Sequence, residues 1–176
     1  MRAPLSREAK ASWFVGVTAL VVGTWGVWSP GLWYDEVVTL TMADRDWQSM
    51  FSVLTRIDAV HGVYYALMHL WIDAFAYTPL TLRLPSAILM AATAVVLVRI
   101  GSLQWSLTAG VVAGLSFMAI PRTLWVATQG RSYALAVFTI SLATLLFILA
   151  IKRERAQFWF VYGASMALAI CAFIHN

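Results

Sequence analysis

The sequence predicts an all-α fold: a polytopic integral membrane helix bundle with a long extracytoplasmic first loop that contains interfacial helices. Three observations carry that expectation. Of the 176 residues, 61% are hydrophobic and 11% charged, whereas a soluble domain carries about 45–50% apolar and about 25% charged residues. The charge-free runs 84–98, 100–121, 132–151 and 156–176, with 11–34 before them, approach or exceed the roughly 20 residues that a membrane-spanning helix needs. Basic residues gather between these runs, where they orient helices against a bilayer. The composition excludes a soluble globular domain. The net charge of +4 belongs to membrane orientation, since no basic recognition helix for nucleic acid is present.

The first span is expected at roughly 12–28. Arg2, Arg7 and Lys10 precede it like the basic region of a signal peptide, but no small-x-small cleavage site follows before Ser29-Pro30, so it reads as an uncleaved span that exits near Trp28. The next apolar run, 59–72, is expected to stay out of the bilayer core. At 14 residues it is short for a span. His61, Tyr65, His69 and Asp73 also recur every four residues in it, so on a helix they form one polar stripe, with Leu67, Leu70, Trp71 and Ala74 elsewhere on its surface. Such a helix lies at the interface. Leaving it out puts Arg99 and the cluster Lys152, Arg153 and Arg155 on the same side as the basic N-terminus, as the positive-inside rule requires. The remaining spans then fall at roughly 80–99, 104–120, 131–151 and 157–174, and 29–78 becomes one outer loop. The chain reads as a single N-terminal transmembrane module, 1–176, of a longer protein.

That loop holds Asp35, Glu36, Asp44, Asp46, Asp58 and Asp73, six of the eight acidic residues. The sharpest feature is Trp33-Tyr34-Asp35-Glu36, a few residues after the turn-like Ser29-Pro30-Gly31. A carboxylate among aromatics at a membrane boundary sits in a lowered dielectric, which raises its basicity and suits a general base. The bland alternative is equally open: Asp35 could cap a helix beginning at Val37-Val38. A second outer cluster is Pro121-Arg122 with Gln129-Gly130-Arg131-Ser132-Tyr133. Arg131 opens a helix whose first amides are free, and together they suit a phosphate. Snorkelling to lipid phosphate is the alternative.

Asp58, His61, Arg83 and His175 are further candidates. His61 and His69, eight residues apart, do not match a metal-ligand spacing, and no metal is expected to be required. The single cysteine, Cys171, reads as a small buried hydrophobe. A transporter would carry acidic residues near its span centres, and these spans have none. A purely structural subunit would account for the nine tryptophans as interface anchors, but not for the outer concentration of acids.

Four stretches in order resemble a known family: WYDE after the first span, Asp58-x-x-His61-Gly62-Val63-Tyr64-Tyr65, Leu82-Arg83-Leu84-Pro85-Ser86-Ala87, and Gln129-Gly130-Arg131-Ser132-Tyr133-Ala134-Leu135. Over residues 28–176 they look like the N-terminal module of the superfamily C (GT-C) glycosyltransferases. The likeness is nearest to bacterial relatives of the protein O-mannosyltransferases and aminoarabinose transferases, including actinobacterial membrane mannosyltransferases. The resemblance implies Asp35 as catalytic base with Glu36 in the same site. It also implies Arg131 near a lipid-phosphate donor with Tyr133 beside it. The expected reaction moves a hexose or pentose from a polyprenyl-phosphate donor to a hydroxyl on a lipid, glycan or protein acceptor. Where relatives often have Asp-x-x-Pro-Pro in the outer loop, this chain has Asp58-Ala-Val-His61-Gly62. Members of that family usually run to several hundred residues, so the module alone is expected to lack donor-binding residues.

Overall fold

The computed structural model describes residues 6–29 and 31–172. Among them every regular element is helical. Helix α1 spans Arg7–Gly23 and starts where the Ser6 hydroxyl accepts from the Ala9 amide at 3.1 Å. It stops in a turn through Gly26, whose φ of +84° only glycine adopts cheaply. The expected span 12–28 therefore begins and ends about one turn earlier than its hydropathy suggests.

Three short helices follow. Helix α2 covers Tyr34–Ala43 and α3 covers Trp47–Leu54, capped by Asp46, which accepts from the Ser49 amide at 2.9 Å. A 3-10 turn at Ala59–His61 leads into α4, Gly62–Phe75. On α4 the polar stripe turns inward. His61, Tyr65 and His69 are buried, while Leu67 and Leu70 are exposed, as is the Asp73 side chain at the end of the stripe.

Helix α5, Pro79–Gln104, is the central element and packs against α1, α4, α6, α7 and α8. Thr78 and Thr81 cap it reciprocally, each hydroxyl accepting the other's amide, at 3.0 and 2.7 Å. Pro85 lies inside the helix and has no N–H to give the Thr81 carbonyl four residues back. The Trp71 indole on α4 donates to that carbonyl at 2.8 Å, so the missing helical bond is made good from the neighbouring helix.

Helix α6, Leu107–Ala119, returns along α5 at unusually short range. A Cβ on Gly110 would lie 2.3 Å from the Val98 carbonyl oxygen, so only glycine permits this approach. Ile120 precedes Pro121 and is driven to extended geometry, with φ −75° and ψ 123°. The chain bends there by 74° into α7, Pro121–Ala127. Helices α8, Tyr133–Arg153, and α9, Ala156–Ala172, complete the chain and pack on each other. Cys171 is exposed on α9 rather than buried, because this helix has neighbours along only part of its surface.

Two helices, α5 and α8, are long and apolar enough to cross a membrane, and the bent α6–α7 pair would be a third if taken as one broken span. Helices α1 and α9 have 17 residues each. One apolar core, built around Val15, Ala19, Met90, Ala94, Val98 and Met118, joins α1, α5 and α6. A second, with Met42, Met50, Tyr64, Tyr65, Met68 and Leu82, joins the short helices α2, α3 and α4 to the start of α5.

The bundle has two chemically distinct ends. At one, Glu8 pairs with Arg99, and the Lys152 ammonium donates to the Leu103 carbonyl. This gathers the start of α1 and the last turns of α5 and α8 with their basic residues. At the other end, the loops after α1 and before α8 meet the first turns of α2 and α5. Asp35, Glu36 and Asp58, the acids between α1 and α5 whose side chains reach another element, all do so at this end.

Candidate functional site

The site grows from the first turn of α2. Trp33 is the N-cap and Tyr34 the first helical residue, so Asp35 sits inside the first turn and is not the cap. The helix begins three residues before the Val37 start expected from the pattern. The capping work falls to Glu36, whose Oε2 accepts from the Trp33 amide at 3.2 Å. That leaves the Asp35 carboxylate unused by the helix, about one-third exposed, at the positive end of the α2 dipole.

Glu36 is different in every respect. It has no exposed surface. Arg83 reaches it with two parallel bonds, Nε to Oε1 and Nη2 to Oε2, both 2.7 Å. The Gly130 amide adds a third at 2.9 Å. Burial pushes the Glu36 carboxyl up, but the Arg83 guanidinium and the Gly130 and Trp33 amides outweigh it and hold the group below its ordinary value. Glu36 is an ionised, saturated anchor.

Arg83 is equally committed. Its Nη1 donates to the carbonyls of Val27 and Ser29 at 3.0 and 2.8 Å, and its Nη2 to that of Gly31 at 2.6 Å as well as to Glu36. A guanidinium has five N–H donors, and these contacts with the Nε bond use all of them. No donor remains for a phosphate. The geometry therefore makes Arg83 the residue that folds the α1 exit loop onto α2.

Arg131 is the guanidinium that faces Asp35. It is buried, with Nε 3.9 Å from Asp35 Oδ2 and Nη1 3.4 Å from the Asp35 carbonyl oxygen. Its Nε makes no hydrogen bond. Nη1 donates to the Tyr65 hydroxyl at 3.1 Å. Burial opposes the Arg131 charge, but the Tyr65 and Asp35 oxygens more than offset it and move the group up from its ordinary value, so it stays charged. Gln129 supplies its carbonyl to the Arg131 amide at 2.9 Å, while its side-chain Oε1 is buried without a partner.

Asp58 and His61 line the neighbouring wall. The Tyr65 hydroxyl donates to Asp58 Oδ2, and His61 Nε2 lies 3.7 Å from Asp58 Oδ1. His61 Nδ1 shares a 2.8 Å hydrogen bond with the Ser132 hydroxyl. His69 is engaged elsewhere, at 2.7 Å from the Ala43 carbonyl oxygen, which can only accept, so its Nδ1 carries the proton. Among the described residues no three His, Cys, Asp or Glu side chains converge on a point where a metal ion could sit. An aromatic rim runs along the other edge: Trp33 packs edge-on to Trp125 at 6.4 Å, Tyr133 lies 5.9 Å from Trp125, and Arg122 sits 4.1 Å over the Trp125 ring.

The residues singled out in the sequence thus assemble at one end of the bundle, except His175, which lies outside the described residues. Four members of the site have no place in the sequence-based candidate set. Tyr65 stands in the sequence as part of the α4 polar stripe and of the stretch that begins at Asp58, with no role given to it by either. Ser132 and Gly130 flank Arg131, and Gly130 acts through its amide, which carries no residue-type signal. Tyr64, fully buried, has its hydroxyl pushed up mainly by burial and lies within electrostatic reach of Arg131 and Glu36. Comparison of the chain with family models, with curated proteins and with solved structures finds no match.

Proposed function

We propose that the chain is the N-terminal membrane module of a glycosyltransferase that moves a sugar from a polyprenyl-phosphate donor to a hydroxyl acceptor. In this reading the protein sits in a bacterial plasma membrane and crosses it five times, with α2, α3 and α4 on the extracytoplasmic face. The observation that carries the reading is the pairing of Asp35 with Arg131, a partly exposed carboxylate beside a buried guanidinium. Both sit at the bundle end opposite the basic cluster of Arg99 and Lys152.

Such a pair suits an inverting displacement. The Asp35 carboxylate takes the proton from the acceptor hydroxyl as its oxygen bonds to the anomeric carbon. The bond from that carbon to the phosphate oxygen breaks with its electron pair, so the polyprenyl phosphate leaves as an anion and needs no proton donor. Arg131 stabilises the charge that develops on the phosphate. The rim of Trp33, Trp125 and Tyr133 offers flat apolar faces beside the reacting centre. Glu36 and Arg83 act by holding Asp35 in place.

The test uses the full-length protein in membranes with polyprenyl-phosphate sugars as donors, and mass spectrometry of the products. Asp35→Asn is expected to lower transfer about 10²–10⁴-fold at normal insertion levels. Transfer that is unchanged in this variant overturns the assignment and favours a non-catalytic assembly subunit.

A further inference from the structure

Asp58 has a backbone conformation that aspartate adopts only at a cost, with φ 60° and ψ 24°. It stands at the N-cap position of the 3-10 turn, yet its side chain makes no capping bond. The carboxylate is turned instead to Tyr65, whose hydroxyl donates to it. Tyr65 has no exposed surface. Burial, and then the Asp58 carboxylate, push its hydroxyl up, so Tyr65 keeps its proton. With that proton given to Asp58, the oxygen lone pairs face Arg131, and Nη1 donates to them at 3.1 Å. His61 approaches Asp58 from the other side and is tied to Ser132, the residue after Arg131.

We propose that Asp58 and Tyr65 form a clamp that positions the Arg131 guanidinium for an anionic group, both acting as positioning residues that do not themselves touch the substrate. This deepens the reading of Arg131 given above and rests on it for the identity of the anion, an isoprenyl phosphate. The strained backbone at Asp58 is the feature that a simple packing role leaves unexplained. A buried guanidinium whose Nε makes no hydrogen bond needs an external constraint to hold its plane, and the Tyr65 bond to Nη1, the nitrogen that also reaches the Asp35 carbonyl, supplies it. Because the Tyr65 hydroxyl gives its proton to Asp58, the carboxylate seven residues earlier in the chain sets the orientation of Arg131 through one shared hydroxyl.

The test is phenylglyoxal labelling of the full-length protein in detergent, read per arginine by peptide mass spectrometry. Wild type, Tyr65→Phe, Asp58→Asn and the double variant are compared, with farnesyl phosphate as the protecting probe. Arg131 is expected to label at least about tenfold faster in each single variant, while Arg83, locked to Glu36, stays slow. The double variant should match the singles, since both act through one contact. Farnesyl phosphate should need about tenfold higher concentration to protect Arg131 in the variants while Arg83 still labels at the wild-type rate, which loss of packing alone would not produce. Arg131 labelling at the wild-type rate in both variants, or rising together with Arg83, overturns the clamp. Failure of farnesyl phosphate to protect Arg131 in wild type counts against the donor-phosphate reading instead, while the labelling rates still decide the clamp.

Discussion

Asp35 and Glu36 are adjacent in the chain, yet the first keeps about a third of its side chain in contact with solvent while the second has none. Consecutive positions on α2 point about 100° apart, and Arg83 and Gly130 close over only one of them. The two carboxylates are therefore expected to respond in opposite ways to removal. Asp35→Asn gives up only a long 3.9 Å contact from a partly exposed carboxylate and should cost no more than about 1 kcal/mol. Glu36→Ala leaves a buried guanidinium unpaired and should cost about 3–5 kcal/mol. Thermal unfolding of the two variants in the same detergent checks the contrast, and equal losses would contradict the division of labour.

The Glu36–Arg83 pair also sets a pH dependence. Glu36 is held below its ordinary value of 4.5 in the folded protein. A carboxyl depressed on folding adds stability above its unfolded value, and that contribution is lost as pH falls through the folded one. Melting temperature should hold from neutral pH to about pH 5 and then decline. Glu36→Gln should be less stable at neutral pH and lose part of that decline. A decline of the same size in the variant would assign it to other carboxylates.

The approach of α5 and α6 depends on the missing Cβ atoms of Gly101, Gly110 and Gly114. Gly110→Ala places a Cβ against the Val98 carbonyl and should cost about 1–3 kcal/mol, because backbone rather than a flexible side chain must move. Gly163→Ala, on α9 with nothing within 4 Å of the added atom, should not lower the melting temperature. Comparable losses at both positions would remove the close packing of α5 on α6 as the cause.

Topology has its own measurement. Single cysteines at positions 73 and 99, in a Cys171→Ser background, are expected to label from the outside and the inside respectively in sealed cells. Arg99 pairs with Glu8 near the start of α1, so an externally labelled residue 99 would carry the N-terminus with it and reverse the whole arrangement.

Much of this organisation is legible in the residues. Charge-free runs mark the long helices because hydropathy reports on length and burial together, and α5 and α8 emerge wherever the pattern is continuous. The site residues Asp35, Glu36, Asp58, His61, Arg83 and Arg131 stand out because charge near an apolar segment is costly and so is rarely accidental. What the pattern does not carry is direction. A polar stripe on α4 reads as a water-facing surface, but the stripe faces the protein, and Tyr65 takes its meaning from Arg131, 66 positions away. The pattern is likewise blind to saturation: Arg83 and Arg131 look alike as lone basic residues, and only the carbonyls of Val27, Ser29 and Gly31 show that one of them is fully spent.

Those carbonyls carry a consequence for how the protein is made. The segment that leaves α1 waits for donors that lie 52 to 56 positions downstream, on a helix not yet synthesised when the segment emerges. The Glu36 carboxylate waits longer, since the Gly130 amide is 94 positions away. Closing such distant contacts is slow relative to local helix formation. The site is therefore a late product of biosynthesis. Its assembly reports that α1, α5 and the α7–α8 loop have all reached their places.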